Sequence, residues 1–166
     1  KISTKVFYVL KVTDECFHNF IVGQCIEAVI LGALCTIGML ILRLPYAVMI
    51  GVFVGCTALI PIAGAYIGAI VGVIMIFTVS PVKSIFFIVF IIILQQLENQ
   101  LIYPKVVGSS IGLPGIWVFA AVMIGGGLFG IQGVIFGIPI VSVFYQLIKN
   151  DLNKREKNNI LKKVQV

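Results

Sequence analysis

Long apolar stretches alternate along this chain with short breaks that contain polar residues, glycine or proline. A first apolar stretch covers residues 20–42 and ends at Arg43 and Pro45. Its 23 residues would form a helix of about 35 Å, which is long enough to cross a bilayer. A second stretch covers residues 84–103, becomes polar in its last turns, and is closed by Pro104. The pattern therefore predicts two membrane-spanning helices.

Each predicted span is followed by an apolar segment that is too long for a single crossing. Residues 47–79 would form a helix of about 50 Å, against a hydrocarbon core of about 30 Å, and residues 113–148 are longer still. Pro61 and Gly64 break the first segment in its middle, and the glycine-rich run 125–133 breaks the second. Proline removes a backbone donor and glycine permits a sharp turn. We therefore predict that each segment is a pair of short helices joined in a hairpin, inside or near the membrane.

The two halves of the chain share a set of features in the same order. Three features recur at an offset of 69 to 71 residues: Q-x-x-E at Gln24 and Gln95, leucine–proline at Leu44 and Leu113, and G-x-x-x-G at Gly64 and Gly133. Internal repeats are common in transporter folds. An internal duplication is one explanation, and chance agreement between two glycine-rich apolar stretches is the other.

Composition narrows the class of protein. Hydrophobic residues make up 60% of the chain, charged residues only 11%, and the mean hydropathy is +1.16. Soluble domains carry about a quarter charged residues. This composition excludes a soluble enzyme, a disordered chain and a nucleic-acid-binding domain. We predict an all-α, multi-pass helical membrane protein whose main partner is the lipid bilayer, with no enzymatic activity, cofactor or metal site.

The charges indicate the organisation and the orientation of the chain. Twelve Lys and Arg against six Asp and Glu leave a net charge of +6, and half of the cations lie in residues 149–166. We predict an amphipathic interfacial segment at 1–18, a transmembrane domain at 19–148 and a basic tail at 149–166. The positive-inside rule places both termini in the cytoplasm. It does so whether the two hairpins return to their starting side or cross the membrane, so it does not distinguish these arrangements.

The Q-x-x-E motifs are the candidates for chemistry inside the membrane. A spacing of three residues puts both polar side chains on one helical face. An ionisable residue within a span costs at least about 2.5 kcal/mol and by default marks a substrate or proton pathway, with a structural role as the alternative. The transport-path candidates are Gln24, Glu27, Gln95, Glu98 and Asn99. The candidates for a gate in the hairpins are Pro61, Gly64, Gly68, Gly126, Gly130, Gly133, Gly137 and Pro139, the last of which we expect to interrupt the second arm of its hairpin.

Four parts of this sequence stand out together: FIVGQ at 20–24, LIPIAG at 59–64, the stretch from QQLEN at 95–99 to YPKVVG at 103–108, and the glycine-rich run at 125–137 with Pro139. Together they resemble the autoinducer-2 exporter family of bacterial multi-pass membrane proteins. The resemblance covers nearly the whole chain, which looks like the C-terminal half of such a protein. It implies a plasma-membrane transporter that exports a small polar solute such as autoinducer-2, driven by a gradient. A Na⁺(Li⁺)/H⁺ antiporter and a truncated chain without transport activity are the alternatives, and self-association is left open.

Overall fold

The computed structural model describes residues 2–61, 63–108 and 112–164, and every regular element in these ranges is helical. This confirms the predicted fold class. The elements are α1 (Ile2–Ile41), α2 (Ala47–Ala58), α3 (Ala63–Phe77), α4 (Pro81–Leu97), the π-helical turns π1 (Glu98–Ile102) and π2 (Pro104–Gly108), and α5 (Gly115–Val164). By length and composition alone, three stretches within these ranges could cross a membrane: Phe7–Ile41, Pro81–Gly108 and Gly115–Asn150, the last of which reverses direction at Gly130.

The helices form two compact units, Phe20–Ser110 and a second that combines Lys1–Asn19 with Ile111–Val166. Helix α1 contributes its first half to the second unit and its remainder to Phe20–Ser110, without a break near the predicted boundary at residue 18. The two ends of the predicted terminal segments, residue 1 and residues 165–166, lie outside the described residues. The side chains of the tail cations from Lys154 onward are likewise outside them.

In the unit Phe20–Ser110, helices α1 to α4 enclose an apolar core. Its buried side chains include Leu31, Met39, Ile50, Val54, Ile76 and Phe87. Helices α1 and α2 approach each other through glycines, because a Cβ atom on Gly32 would lie 3.1 Å from the carbonyl oxygen of Gly51. Small residues at such crossings let helices pack closely inside a membrane, where apolar burial alone does not drive association.

Helices α2 and α3 form the first hairpin, as the Pro61 and Gly64 break predicts. The arms have 12 and 15 residues, so they are about 18 and 22 Å long and shorter than a hydrocarbon core of about 30 Å. A Cβ atom on Gly64 would overlap the carbonyl oxygen of Thr57 on the other arm. Only glycine therefore allows the arms to meet this closely near the turn.

Both ends of the first hairpin lie at the same end of the unit. The Nζ atom of Lys83, in the first turn of α4, donates to the carbonyl oxygen of Arg43, just after α1, at 3.4 Å. Since the end of α1 and the start of α4 lie together, the two helices run antiparallel and the hairpin returns to the level at which it began.

Helix α4 starts earlier and continues further than its apolar pattern predicts. Ser80 caps it by accepting a hydrogen bond from the backbone of Lys83, and Pro81 occupies the first helical turn, where its missing N–H is harmless. The prediction that Pro104 closes the span was wrong, because the helix continues through π1 and π2 to Gly108. In an α-helix the ring of Pro104 would clash with the carbonyl four residues before it, and a wider π turn relieves that clash.

Helix α5 is a second hairpin, as the glycine-rich run predicts. Its backbone reverses at Gly130, where φ is 61° and ψ is −141°. The rings of Trp117 and Tyr145 lie 6.3 Å apart, whereas 28 residues of straight helix would separate them by about 42 Å. A Cβ atom on Gly133 would overlap the carbonyl oxygen of Gly125, so the arms touch backbone to backbone near the turn.

Pro139 does not interrupt the second arm, and this prediction was wrong. The arm is helical on both sides of Pro139, and Gly130 is where the backbone of α5 leaves helical geometry. Pro139 is fully buried beside the buried residue Ile138. Helices in membranes tolerate an internal proline where neighbouring groups compensate for the missing hydrogen bond.

The first half of α1 packs on the second arm of α5 within the second unit. The hydroxyl of Ser142 donates to the sulfur of Cys16 at 3.6 Å, and both side chains are buried. In the same unit, the Nδ2 atom of Asn150 donates to the hydroxyl of Tyr8 at 2.8 Å, and this contact is exposed.

Candidate functional site

The first Q-x-x-E motif is buried on α1 and reaches the turn of the first hairpin. Gln24 is 4% exposed and Glu27 is 2% exposed. The Nε2 atom of Gln24 donates to the carboxyl group of Glu27, and also to the carbonyl oxygen of Ala58 at 2.9 Å. Ala58 is the last residue of α2, where a carbonyl has no partner within its own helix. Gln24 therefore ties the buried carboxyl group of Glu27 to the first hairpin.

The second motif meets the first across the antiparallel pair of α1 and α4. Glu98, the first residue of π1, is 8% exposed, and its carboxyl group lies within hydrogen-bonding range of Glu27. Gln95 is half-buried and its amide faces the carboxyl group of Glu98. Glu27 and Glu98 lie at similar distances along their helices from the contact of Arg43 with Lys83, about 24 and 22 Å away. The repeated motifs thus come together deep within the two spans.

Tyr103 also belongs to this polar cluster, although the sequence pattern does not predict it. Its hydroxyl oxygen is buried and lies within electrostatic range of both Glu27 and Glu98. A spacing of five residues puts Tyr103 about 140° from Glu98 on an α-helix, and so on another face. In the structure the backbone N–H of Tyr103 donates to the carbonyl of Glu98, which is the bond of a π turn. The signal that could have revealed Tyr103 is Pro104, directly after it.

The cluster contains more hydrogen-bonding capacity than its own members use. Four buried side-chain atoms have no hydrogen-bond partner among the described residues: Gln24 Oε1, Gln95 Nε2, Glu98 Oε2 and the Tyr103 hydroxyl. A buried polar atom without a partner costs about 1–3 kcal/mol, and native structures hold few of them. The four atoms include both donors and acceptors, and three of them belong to the two Q-x-x-E motifs.

The other predicted residues are distributed between the two units. Asn99 is exposed, so of the five transport-path candidates it is the one whose side chain is not buried with the others. Pro61, Gly64 and Gly68 are buried in the first hairpin. The remaining gate candidates lie in the second hairpin: Gly126, Gly130, Gly133, Gly137 and Pro139. In the described part of the chain, no group of three or more His, Cys, Asp and Glu side chains is placed to hold a metal ion.

Comparison with known proteins places the chain in a family. Residues 1–153 match the AI-2E family transporter profile. The chain belongs to the AI-2E transporter family. It is accordingly a multi-pass membrane protein, which agrees with the resemblance carried by its motifs.

Two relatives of this AI-2E family member come from Bacillus subtilis. The "Putative transport protein YueF" of Bacillus subtilis is 31% identical over 140 residues, which are 84% of this chain and 38% of that protein. The "Putative transport protein YrrI" of the same organism is 29% identical over 149 residues, 90% of this chain and 42% of that protein. The chain thus spans about two fifths of the length of these relatives. No solved structure gives a significant match.

Proposed function

We propose that this chain carries the cargo site of a transporter in the bacterial plasma membrane, which exports a small polar solute such as autoinducer-2 and is driven by a gradient. Both termini of the chain lie on the cytoplasmic side in this proposal. The cargo binds between the two Q-x-x-E motifs, at Gln24, Glu27, Gln95 and Glu98.

The observation that carries the proposal is the set of four unpartnered polar atoms in the cluster. They lie on two helices that are long and apolar enough to span a membrane, about 20 Å or more along each helix from the contact of Arg43 with Lys83. Buried polar groups at that depth are costly and typically belong to a transport pathway. A small solute with several hydroxyl or carbonyl groups supplies the hydrogen bonds that the cluster itself does not make.

The hairpins are the proposed gates. The bond from Gln24 to the carbonyl of Ala58 connects the cargo site to the end of α2, so a displacement of the first hairpin changes the site directly. The second hairpin has the same construction, with a glycine of the second arm against the backbone of the first arm. Short hairpins of this kind, re-entrant from one side of the membrane, allow access to open and close without moving the spans.

A double substitution of the carboxyl groups tests the cargo site. We expect Glu27→Gln with Glu98→Gln to abolish uptake of autoinducer-2 into everted vesicles, because both carboxyl acceptors are lost while the side-chain volumes are retained. The measurement is the initial rate of uptake, normalised to the amount of protein in the membrane.

Glu15→Gln is the matched control for this experiment. Glu15 lies on the same helix, but its side chain is 57% exposed and forms an ion pair with Lys11 at 3.9 Å. Uptake by the control should equal that of the unsubstituted protein. Full activity in the double variant would remove both carboxyl groups from the proposed mechanism.

Exchange of Na⁺ or Li⁺ for protons is a second candidate, favoured by the contact between the two carboxyl groups. Two carboxyl groups in contact hold a proton between them, because two negative charges so close together repel strongly. The unpartnered oxygens of Gln24, Glu98 and Tyr103 are suitable ligands for an alkali cation that displaces this proton. In proteoliposomes, addition of NaCl or LiCl should then dissipate an imposed pH gradient. A gradient unaffected by either salt would exclude this exchange.

A further inference from the structure

We propose that the hydroxyl group of Tyr103 is a cargo-binding group, and that Pro104 places it in the polar cluster by imposing the π-helical turns. This inference rests on the proposed function, since it assigns a further residue to the same site. It concerns a side chain whose position in the cluster depends on an irregular backbone.

The position of the Tyr103 hydroxyl supports this role. Tyr103 lies within electrostatic range of both carboxyl groups of the cluster, and its oxygen is buried without a hydrogen-bond partner among the described residues. A tyrosine hydroxyl that is buried normally has a partner, because it both donates and accepts. Of the other unpartnered atoms, those of Gln24 and Glu98 accept and that of Gln95 donates, so the Tyr103 hydroxyl is the one of the four that can do both.

The backbone of π1 brings the hydroxyl of Tyr103 into the polar cluster. The N–H of Tyr103 bonds to the carbonyl five residues back, on Glu98, and π2 begins at the next residue, Pro104. This wider turn returns residue i+5 close to the face of residue i, so Tyr103 and Glu98 share a face. With α-helical geometry Tyr103 would be rotated by about 140° from Glu98 and would leave the cluster.

Pro104 is the cause of the π geometry. Pro104 has no N–H to donate, and in an α-helix its ring clashes with the carbonyl four residues earlier. Single π turns within α-helices occur frequently at functional sites. Replacing Pro104 with alanine restores the donor and removes the clash, so the α-helical register becomes available and Tyr103 can rotate out of the cluster.

Two substitutions separate the hydroxyl from the backbone that positions it. Tyr103→Phe removes only the hydroxyl, and we expect the half-saturating concentration of autoinducer-2 in everted vesicles to rise about tenfold, with the maximal rate nearly unchanged. Pro104→Ala should also raise this half-saturating concentration. In the double variant, this concentration should be no higher than in the more impaired of the two single variants, because both changes remove the same contact.

Tyr66→Phe and Pro81→Ala are the matched controls. Tyr66 is 68% exposed on α3, and Pro81 lies in the first turn of α4, far from the cluster. Both controls should transport like the unsubstituted protein. If Tyr103→Phe also does so while the double carboxyl variant is inactive, this inference is overturned and the proposed function stands. If the double carboxyl variant is fully active, the proposed function itself fails.

A spectroscopic measurement tests the inference without transport. The chain has five tyrosines, and in protein labelled with 3-fluorotyrosine the ¹⁹F resonance of Tyr103 is the one lost in Tyr103→Phe. Saturating autoinducer-2 should shift this resonance in lipid nanodiscs, and Pro104→Ala should shift it without any ligand. A shift with LiCl in place of autoinducer-2 would support the role of Tyr103 and identify the cargo as a cation. A resonance that responds to neither ligand, or that Pro104→Ala leaves in place, would overturn the inference.

Discussion

Gln24 is the residue through which the polar cluster contacts the first hairpin. Its amide nitrogen donates hydrogen bonds to two acceptors, the carboxyl group of Glu27 and the carbonyl of Ala58. Both of these residues are buried. Removing a donor from a buried acceptor costs more than the hydrogen bond was worth, because the acceptor then lacks water as well. Gln24 therefore contributes to stability as well as to the proposed site.

We expect Gln24→Met to lower the stability of the protein by about 1–3 kcal/mol, since two buried acceptors lose their donor while the side-chain volume is kept. The measurement is the apparent Tm in lipid nanodiscs, which should fall by several degrees. Gln96→Met is the matched control, because Gln96 is exposed and its weak contact is with Gln100 at 3.5 Å. An equal Tm for Gln24→Met and the unsubstituted protein would contradict the structural role.

At this scale the sequence predicted most of the cluster but not all of it. The Q-x-x-E spacing correctly predicted that Gln24 and Glu27 share a face, because α1 is a regular helix there. It could not predict Tyr103, since the relevant face is decided by a π turn that α-helical periodicity does not describe. Asn99, which follows Glu98 directly, is exposed and does not join the buried side chains.

The two hairpins are alike as elements. In each, a glycine early in the second arm packs on the backbone of the first arm: Gly64 on Thr57, and Gly133 on Gly125. Gly64 and Gly133 are the positions that recur at an offset of 69 residues. Since the first turn of each second arm carries the closest contact, a side chain larger than hydrogen there forces the arms apart.

A pair of alanine substitutions in the second hairpin tests this packing. Gly133→Ala should destabilise the protein by about 1–3 kcal/mol, because the added methyl group overlaps the carbonyl of Gly125. Gly127→Ala is the control, since a Cβ atom there meets nothing within 4 Å and alanine favours the helix. The apparent Tm should fall for the first variant and stay equal or rise for the second. Equal effects would mean that the arms do not meet at Gly133.

Prolines show where element prediction from sequence succeeds and fails. Pro61 marks a true break between α2 and α3, whereas the chain remains helical at Pro104 and at Pro139. A proline removes one donor and adds one clash, and whether the helix ends depends on what surrounds it. At Pro104 a wider turn accommodates the ring, and Pro139 is enclosed in a packed hairpin.

For the molecule as a whole, the contact between Lys83 and Arg43 supports one of the two arrangements that charge alone left open, and we propose that the first hairpin returns to its starting side of the membrane. Since this contact joins the ends of the first hairpin, α1 and α4 leave the unit at the same end. We therefore expect Arg43 and Lys83 to face the same side of the membrane, and Lys105, on π2 at the far end of the second span, to face the other.

Labelling with a membrane-impermeant thiol reagent tests this topology in intact cells. In a background without the native cysteines, Arg43→Cys and Lys83→Cys should both react from outside, and Lys105→Cys should react only after the membrane is opened. Arg43→Cys serves as the control, because the proposed cytoplasmic location of the termini puts residue 43 outside in either arrangement. Reaction at Lys105→Cys and protection of Lys83→Cys would show that the first hairpin crosses the membrane.

The sequence by itself determined that this is a membrane protein, its helical fold class, the two broken hairpins and the pair of Q-x-x-E motifs. These follow from local properties: the lengths of apolar runs, the backbone limits of proline and glycine, and the spacing of polar residues. Only the tertiary structure decided that the two motifs meet, that the first hairpin returns to its starting level and that Tyr103 enters the cluster. Each of these depends on contacts between residues that are distant along the chain, or on a backbone register that a neighbouring proline changes, and helical periodicity contains neither.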